Sequence, residues 1–226
     1  MPSDHSAEEL RRIYERRFAA RTGYRDRVWQ ILTDYLSRYI PASSAVLDLG
    51  CGYGEFVNNV TATRRIAMDL NPTVAELADE GVEVLLHDCS ERWPLDDATL
   101  DVVFSSNFFE HLASKSDLRR TIEEAFRCTR PGGRLVALGP NARLVGGAYW
   151  DFYDHHIALT ERSLVELLRD CGYEIEDVVP AFLPYTMSEG RERPLWLLRL
   201  YLRLPLVWRV LGRQFLVVAR RPVGRT

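Results

Sequence analysis

The sequence predicts an α/β protein built on a mostly parallel sheet with helices on both faces. Three observations carry this expectation. Short apolar runs of strand length alternate with stretches of helical period. The first apolar run ends in closely spaced glycines that lead into a helix. At 226 residues the chain can bury one sizeable core and carry a small appendage.

Residues 6–39 read as two helices. Ala7-Glu-Glu-Leu-Arg-Arg-Ile-Tyr-Glu sets apolar residues at helical spacing, Gly23 breaks the pattern, and Tyr24-Arg-Asp-Arg-Val-Trp-Gln-Ile-Leu resumes it until Pro41. Residues 1–40 are therefore expected to form a helical cap, and 41–226 the domain that carries the sheet. Strands are expected at 44–49, 65–70, 82–86, 100–105, 134–139, 173–179 and 214–219. A helix begins near Glu55, and Asn71-Pro72 opens another with proline in its first turn. Residues 117–128 form a helix that stops before Pro131-Gly-Gly, and 160–170 a helix that Thr160 caps. No helix of ordinary length and pattern separates the last two strands; residues 181–213 are instead an apolar helical insert punctuated by arginine.

Composition narrows the function classes. A formal net charge of −3 gives the chain as a whole no long-range attraction to nucleic acid or an anionic membrane, and no nucleic-acid partner is expected. Cys51, Cys89, Cys128 and Cys171 lie far apart with no C-x-x-C pair, which argues for free thiols rather than a zinc site or disulfide framework. Met1-Pro-Ser-Asp-His-Ser lacks the basic-then-apolar pattern of a signal peptide, so a cytoplasmic location is expected.

In an open parallel sheet, ligands sit beyond the carboxyl ends of the strands. The first strand runs into Asp48-Leu-Gly50-Cys-Gly52-Tyr-Gly54, and glycines let a backbone turn tightly and approach a ligand closely. A dinucleotide loop would read G-x-G-x-x-G, but here Glu55 occupies the position of the third glycine. Its charge would oppose a pyrophosphate, whereas a phosphate-free sulfonium ligand, S-adenosylmethionine, tolerates acids around the loop. Asp48 can serve the ammonium end of such a ligand. Asp69 can accept both ribose hydroxyls, Asp88 the adenine amino group, and the Cys89 amide can reach a ring nitrogen. Three acids at three successive strand ends make a constellation.

These stretches resemble the class I S-adenosylmethionine-dependent methyltransferases. The likeness runs from about residue 44 to 179. It rests on Val46-Leu-Asp-Leu-Gly-Cys-Gly-Tyr-Gly, Met68-Asp-Leu-Asn, His87-Asp88, Leu100-Asp-Val-Val-Phe-Ser-Ser-Asn-Phe-Phe-Glu-His-Leu112 and Arg130-Pro-Gly-Gly-Arg-Leu. The resemblance implies a Rossmann-like three-layer sandwich whose seven-stranded sheet has an antiparallel last strand. It also implies cofactor contacts from Gly50, Cys51, Gly52, Asp69, Leu70, Asp88 and Asn107, with an arginine near Tyr24 at the cofactor carboxylate: Arg25 is the first candidate, and Arg21 and Arg27 compete with it. Pro140-Asn141, Tyr149-Trp150-Asp151, Asp154-His-His and Leu159-Thr are similar to a bacterial subgroup associated with glycan and secondary-metabolite biosynthesis, which points to a small-molecule acceptor of sugar type.

Methyl transfer from a sulfonium is an in-line displacement, so the protein mainly aligns the acceptor and excludes water. A base is needed where the acceptor must lose a proton. His111, after the fourth strand, is one candidate; bracing of the following helix by Glu110-His111 is the alternative. His155 and His156 are the others. Tyr149, Trp150, Asp151 and Asp154, with Tyr185 from the insert, are the candidate acceptor contacts. Asp151-x-x-Asp154-His-His also resembles a cation-binding grouping, but lacks ligands from another region, so no metal is expected. The apolar stretch 194–211 contains Arg199, Arg203, Arg209 and Pro205, and is too interrupted to span a bilayer. Packing over the pocket, a homodimer contact and peripheral membrane contact are its three open readings.

Overall fold

Strand β1 (Ala45–Leu49) sends Val46 to one face of the sheet and Leu47 and Leu49 to the other, and all three are fully buried. A strand apolar on both faces needs cover on both faces. A computed structural model, which describes residues 23–185 and 192–224, supplies that cover. The predicted helix at 7–15 lies outside the described residues, so the proposed cap is represented only by its second helix.

The remaining elements follow in chain order. Helix α1 is Gly23–Leu36, α2 Glu55–Asn59, β2 Arg64–Asp69, α3 Val74–Leu77, β3 Val82–Leu86 and β4 Leu100–Ser106. After a 3₁₀ turn at Phe109–His111 come α4 (Lys115–Cys128), β5 (Thr129–Pro140) and α5 (Ala142–Val145). A second 3₁₀ segment, Gly146–Asp151, precedes α6 (Glu161–Asp170), β6 (Glu174–Val179), α7 (Leu195–Leu202), α8 (Pro205–Leu211) and β7 (Gln214–Arg220).

The seven strands form one sheet in the order β3-β2-β1-β4-β5-β7-β6. Strands β1 to β5 pair in parallel, and β7 runs antiparallel to both β5 and β6. The order reverses between β1 and β4, which fixes the ligand edge at the carboxyl ends of those strands. On one face, Leu47, Ile66, Val103 and Leu135 pack with Leu118 and Ile122 of α4 and Leu164 and Leu168 of α6. On the other, Val46, Phe104 and Val136 pack with Ile31 and Leu36 of α1, Leu202 of α7 and Trp208 of α8.

Local chemistry explains the boundaries. Ser114 caps α4 by accepting from the Asp117 amide, and Thr160 with Ser163 forms a reciprocal capping box on α6. Gly23 is the first described residue and the first of α1, so the expected break before it adjoins residues outside the described ones. Strand β5 starts at Thr129, five residues before the predicted start at 134, because the register shift between Leu100 and Val102 accommodates Pro131. The insert is helical, as expected, over its described part. It holds two helices divided at Leu204, with Pro205 in the first turn of α8. All four cysteines are free thiols.

The aromatic contact between α2 and the sheet carries much of the second core. Phe56 stacks on Phe104 at a centroid distance of 3.6 Å, and Trp29 of α1 meets both rings edge-on at 6.1 Å. Phe104 is fully buried. Phe104→Ala is therefore expected to cost about 3–5 kcal/mol in denaturant unfolding. A loss below about 1 kcal/mol would show that this cluster does not hold the layers together.

Candidate cofactor and acceptor site

Beyond Leu49 the chain turns through Gly50, Gly52 and Gly54, whose φ angles are 68°, 56° and 72°. L-residues pay roughly 1–2 kcal/mol for that left-handed region. Gly50 faces a further constraint, since a Cβ there would stand 2.1 Å from the Phe108 ring. The loop is fastened to β2 by hydrogen bonds. Gly50 and Cys51 amides donate to the Met68 carbonyl at 2.9 and 3.2 Å. Asp69 accepts the Gly52 amide on Oδ2 at 2.8 Å and the Asn71 amide on Oδ1 at 2.9 Å. Asp48 accepts the Val57 amide at 3.2 Å, so it holds the first turn of α2 against β1.

Three buried acids, Asp48, Glu55 and Asp69, crowd the loop. Burial raises the pKa of Asp48 well above the ordinary carboxylate value; the Val57 hydrogen bond opposes this, and the charges of Asp69 and Glu55 add to it. Burial also raises Asp69, against the stabilising bonds from Asn71 and Gly52 and the positive influence of His111. Glu55 is buried and pairs with Arg25 Nε at 2.6 Å. Arg25 is thus brought to the loop as expected from the resemblance, but onto Glu55, where it neutralises the acid and clamps α1 over the glycines.

Asp88 follows β3, and its Oδ1 accepts both the amide and hydroxyl of Ser90 at 2.9 and 2.8 Å. The Cys89 thiol is buried against Thr121, and burial pushes its pKa up to about 12. Only the Cys89 backbone is therefore suited to a ligand. Leu70 is exposed beside Asp69, and Asn107 is exposed in a left-handed conformation with φ 50°. Asparagine tolerates that region better than most residues. This donor set, with acids at the ends of β1, β2 and β3 and, among the described residues, Arg25 already paired with Glu55, fits S-adenosylmethionine, with its ribose hydroxyls, amines and sulfonium.

The structure sorts the acceptor candidates. Tyr149 is fully buried, and its hydroxyl donates to the Ile157 carbonyl at 2.5 Å while accepting the Leu159 amide at 3.3 Å. It is a pin for the segment, not the acceptor contact expected from sequence. His155 is buried between Tyr149, Phe152 and His111, with ring centroids 4.7, 5.1 and 5.0 Å away. The His156 side chain is exposed, and its backbone amide donates to the Glu110 carbonyl at 2.8 Å. Trp150 and Asp151 are exposed, and the half-buried Tyr185 meets Phe152 edge-on at 5.8 Å.

Asp154 serves His111 directly. Nδ1 of His111 lies 3.0 Å from the Asp154 carbonyl and 3.1 Å from its carboxylate, and Glu110 lies 3.9 Å from Nε2. Burial pulls the His111 pKa down, but the Asp154 hydrogen bond and the charges of Glu110 and Asp154 more than restore it, leaving it raised above 6.5. Glu110, only 2% exposed, has its own pKa raised by burial. Its carbonyl accepts the His156 and Ile157 amides, so Glu110-His111 braces the 149–159 segment and not the following helix, which Ser114 caps.

Asp151, Asp154, His155 and His156 do not assemble into a cation-binding set. Among the described residues, the group whose candidate ligand atoms come within 4.8 Å of one another is Glu110, His111 and His155. Sequence reasoning missed Phe108, Phe152 and the side chain of Glu110. Adjacency to Gly50 and His155 exists only in three dimensions, and the one available signal was the Glu-His pair itself.

The close approach of Phe108 to Gly50 generates a paired test. Gly50→Ala should weaken S-adenosylhomocysteine binding by calorimetry and lower stability by at least about 1 kcal/mol from backbone strain alone. Adding Phe108→Ala should relieve the steric part of the loss and leave the strain. Additive losses in the double variant would refute the packing explanation.

Residues 47–137 match a family model described as a methyltransferase domain. A probable S-adenosylmethionine-dependent methyltransferase of Mycolicibacterium smegmatis is 33% identical over 147 residues, covering 62% of this chain and 56% of that protein. The chain spans about half the length of the curated relatives it matches first. Among solved structures, a chain of the complex between the Haloferax volcanii Trm112 methyltransferase activator and a methyltransferase aligns with TM-score 0.69 and 21% identity, covering 98% of this chain and all of that one. The N-methyltransferase NodS of Bradyrhizobium japonicum, in complex with S-adenosylhomocysteine, aligns with TM-score 0.62 and 16% identity, covering 93% of this chain and 97% of that one. Residues 47–137 thus match a methyltransferase domain in sequence, and the sheet order and glycine loop give the chain the fold of the methyltransferases it aligns with.

Proposed function

We propose that the chain methylates a hydroxyl group of a small molecule, of the sugar or secondary-metabolite type, using S-adenosylmethionine. The observation that carries this reading is the pair of Asp154 oxygens, carbonyl and carboxylate, at His111 Nδ1. Both Asp154 atoms facing Nδ1 are acceptors, so Nδ1 carries the proton and Nε2 presents the lone pair. A hydroxyl acceptor needs such a base, whereas an amine arriving as a free lone pair does not.

When bound, S-adenosylmethionine supplies an electrophilic methyl group. Asp69 would hold its ribose hydroxyls, Asp88 and the Cys89 amide its adenine, and the Gly50–Gly52 backbone with Asp48, Leu70 and Asn107 the remainder. His111 would take the acceptor proton on Nε2, with Asp154 orienting the ring and stabilising the imidazolium that forms. Its positive influence on Asp69 supports a place close to the cofactor. Trp150, Asp151 and Tyr185 offer an aromatic face, a carboxylate and a phenol to a hydroxylated acceptor. His155 supports His111 by ring packing, and His156 lies outside the proposed base.

The sign of the pH dependence follows. Only neutral His111 accepts a proton, and its raised pKa keeps it protonated to higher pH than an ordinary histidine. Methyl transfer to a hydroxyl should therefore rise with pH through a midpoint above 6.5. Asp154→Asn removes the main raising influence and should move that limb, and the His111 ring titration by NMR, to lower pH. His111→Ala should reduce turnover by about 10²–10⁴-fold with cofactor affinity retained. An unchanged rate in His111→Ala would exclude this base and favour N- or C-methylation. Activity lost to a chelator and restored by zinc would instead assign Glu110, His111 and His155 to a cation.

A further inference from the structure

The pair α7–α8 buries one side and leaves the other uncovered. Leu202 and Trp208 sink into the core, and the Trp208 indole donates to the Tyr201 carbonyl at 2.7 Å while the Tyr201 hydroxyl donates to the Phe182 carbonyl at 2.6 Å. The helices are therefore firmly seated. Yet Trp196 is 61% exposed, Leu206 75% and Val210 68%, with Leu200, Leu204 and Leu211 also exposed. Seven of the twelve large exposed hydrophobic residues among those described fall in this one segment, so the apolar surface is a patch and not background.

The charge of the patch is one-sided. Arg199, Arg203 and Arg209 are exposed, and no ion pair engages them among the described residues. From residue 193 to the end of the sequence there is no Asp or Glu, although the whole chain is net negative. Apolar side chains with aromatic and arginine neighbours suit the boundary between lipid headgroups and acyl chains. No helix among the described residues is long and apolar enough to cross a membrane, so contact would be from one side. A second copy fits less well, because a two-fold pairing of this face would set arginines against arginines.

The patch also stands at the ligand edge of the sheet. Gln214, which follows α8, pairs with Pro140 at the carboxyl end of β5, and the Asn141 amide donates to the Arg213 carbonyl at 2.8 Å. At its other end, the Tyr24 hydroxyl bridges the Arg193 carbonyl and amide at 3.0 and 3.1 Å, one residue from the Arg25 that clamps the glycine loop.

We infer that α7 and α8 dock on an anionic lipid surface, and that the acceptor is a hydroxylated headgroup or glycan on a lipid anchor, presented there to the site. The acceptor part rests on the methyltransferase reading above; the surface part does not.

The test uses the full chain and vesicles of phosphatidylcholine alone or mixed with phosphatidylglycerol. The chain should co-sediment with the mixed vesicles, less so at high salt, and barely with phosphatidylcholine. Arg199→Gln with Arg203→Gln should weaken this binding by about 30-fold, given the usual contribution of each basic residue near an anionic surface. Leu206→Ser with Val210→Ser should weaken it also, and S-adenosylhomocysteine binding should be unchanged in both. Absence of co-sedimentation, or variants that bind as the parent does, would overturn the inference. Self-association abolished by Leu206→Ser would assign the face to a second copy and overturn it too. Vesicle binding without any S-adenosylhomocysteine binding would sink the methyltransferase reading and leave the docking surface standing.

Discussion

The carboxylate of Asp69 is the joint on which the site depends. It receives one amide from the glycine loop after β1 and another from the turn after β2, and so holds two strand ends in register at the ligand edge. That arrangement places a buried acid where water is scarce, which is costly unless hydrogen bonds or a ligand compensate. The two backbone amides supply part of the compensation. A ligand bringing hydroxyls, an ammonium and a sulfonium supplies the rest, and one bringing phosphate would worsen it. The same logic extends to Asp48, tied to Val57 and buried close behind.

Around this joint the remaining elements act as clamps. Arg25 closes α1 onto Glu55, so the helix that precedes the sheet in sequence becomes a wall of the loop. Glu110 ties the turn after β4 to the segment after β5 through two backbone bonds. Tyr149 pins that segment from within. Asn141, buried at the end of β5, donates to Glu161 at 2.6 Å and to the Pro180 carbonyl at 2.9 Å. Helix α6 and the exit from β6 are thereby fixed to the same corner. The result is an edge whose loops are held by polar contacts to one another, over a sheet held by apolar layers.

Much of this was legible in the sequence. The strands were readable as short runs of apolar residues, several of which meet a glycine, a proline or an acid at their ends (Gly50 after β1, Asp69 in β2, Pro180 after β6), and the parallel order follows from the alternation with helices. The acids at 48, 69 and 88 were legible because strand ends converge in this fold whatever lies between them. The acceptor side was less legible. In Tyr149-Trp-Asp-Phe-Tyr-Asp-His-His, ring and charge types are all suited to ligand contact, and which ones turn inward is decided by packing. Tyr149 and His155 went in, Trp150 and His156 stayed out, and Asp154 turned to His111, a residue 43 positions earlier. Phe108 against Gly50 and Arg25 on Glu55 are contacts of the same long-range kind, which no local pattern announces.

The central claim is that the acid-lined loop around Asp69 binds S-adenosylmethionine and its product. Calorimetric titration of the purified chain with S-adenosylhomocysteine, alongside Asp69→Ala, tests it most directly. A saturable one-to-one isotherm that largely disappears in a folded Asp69→Ala variant is the predicted result. Absence of binding by the parent chain, or undiminished affinity in the variant, would contradict it.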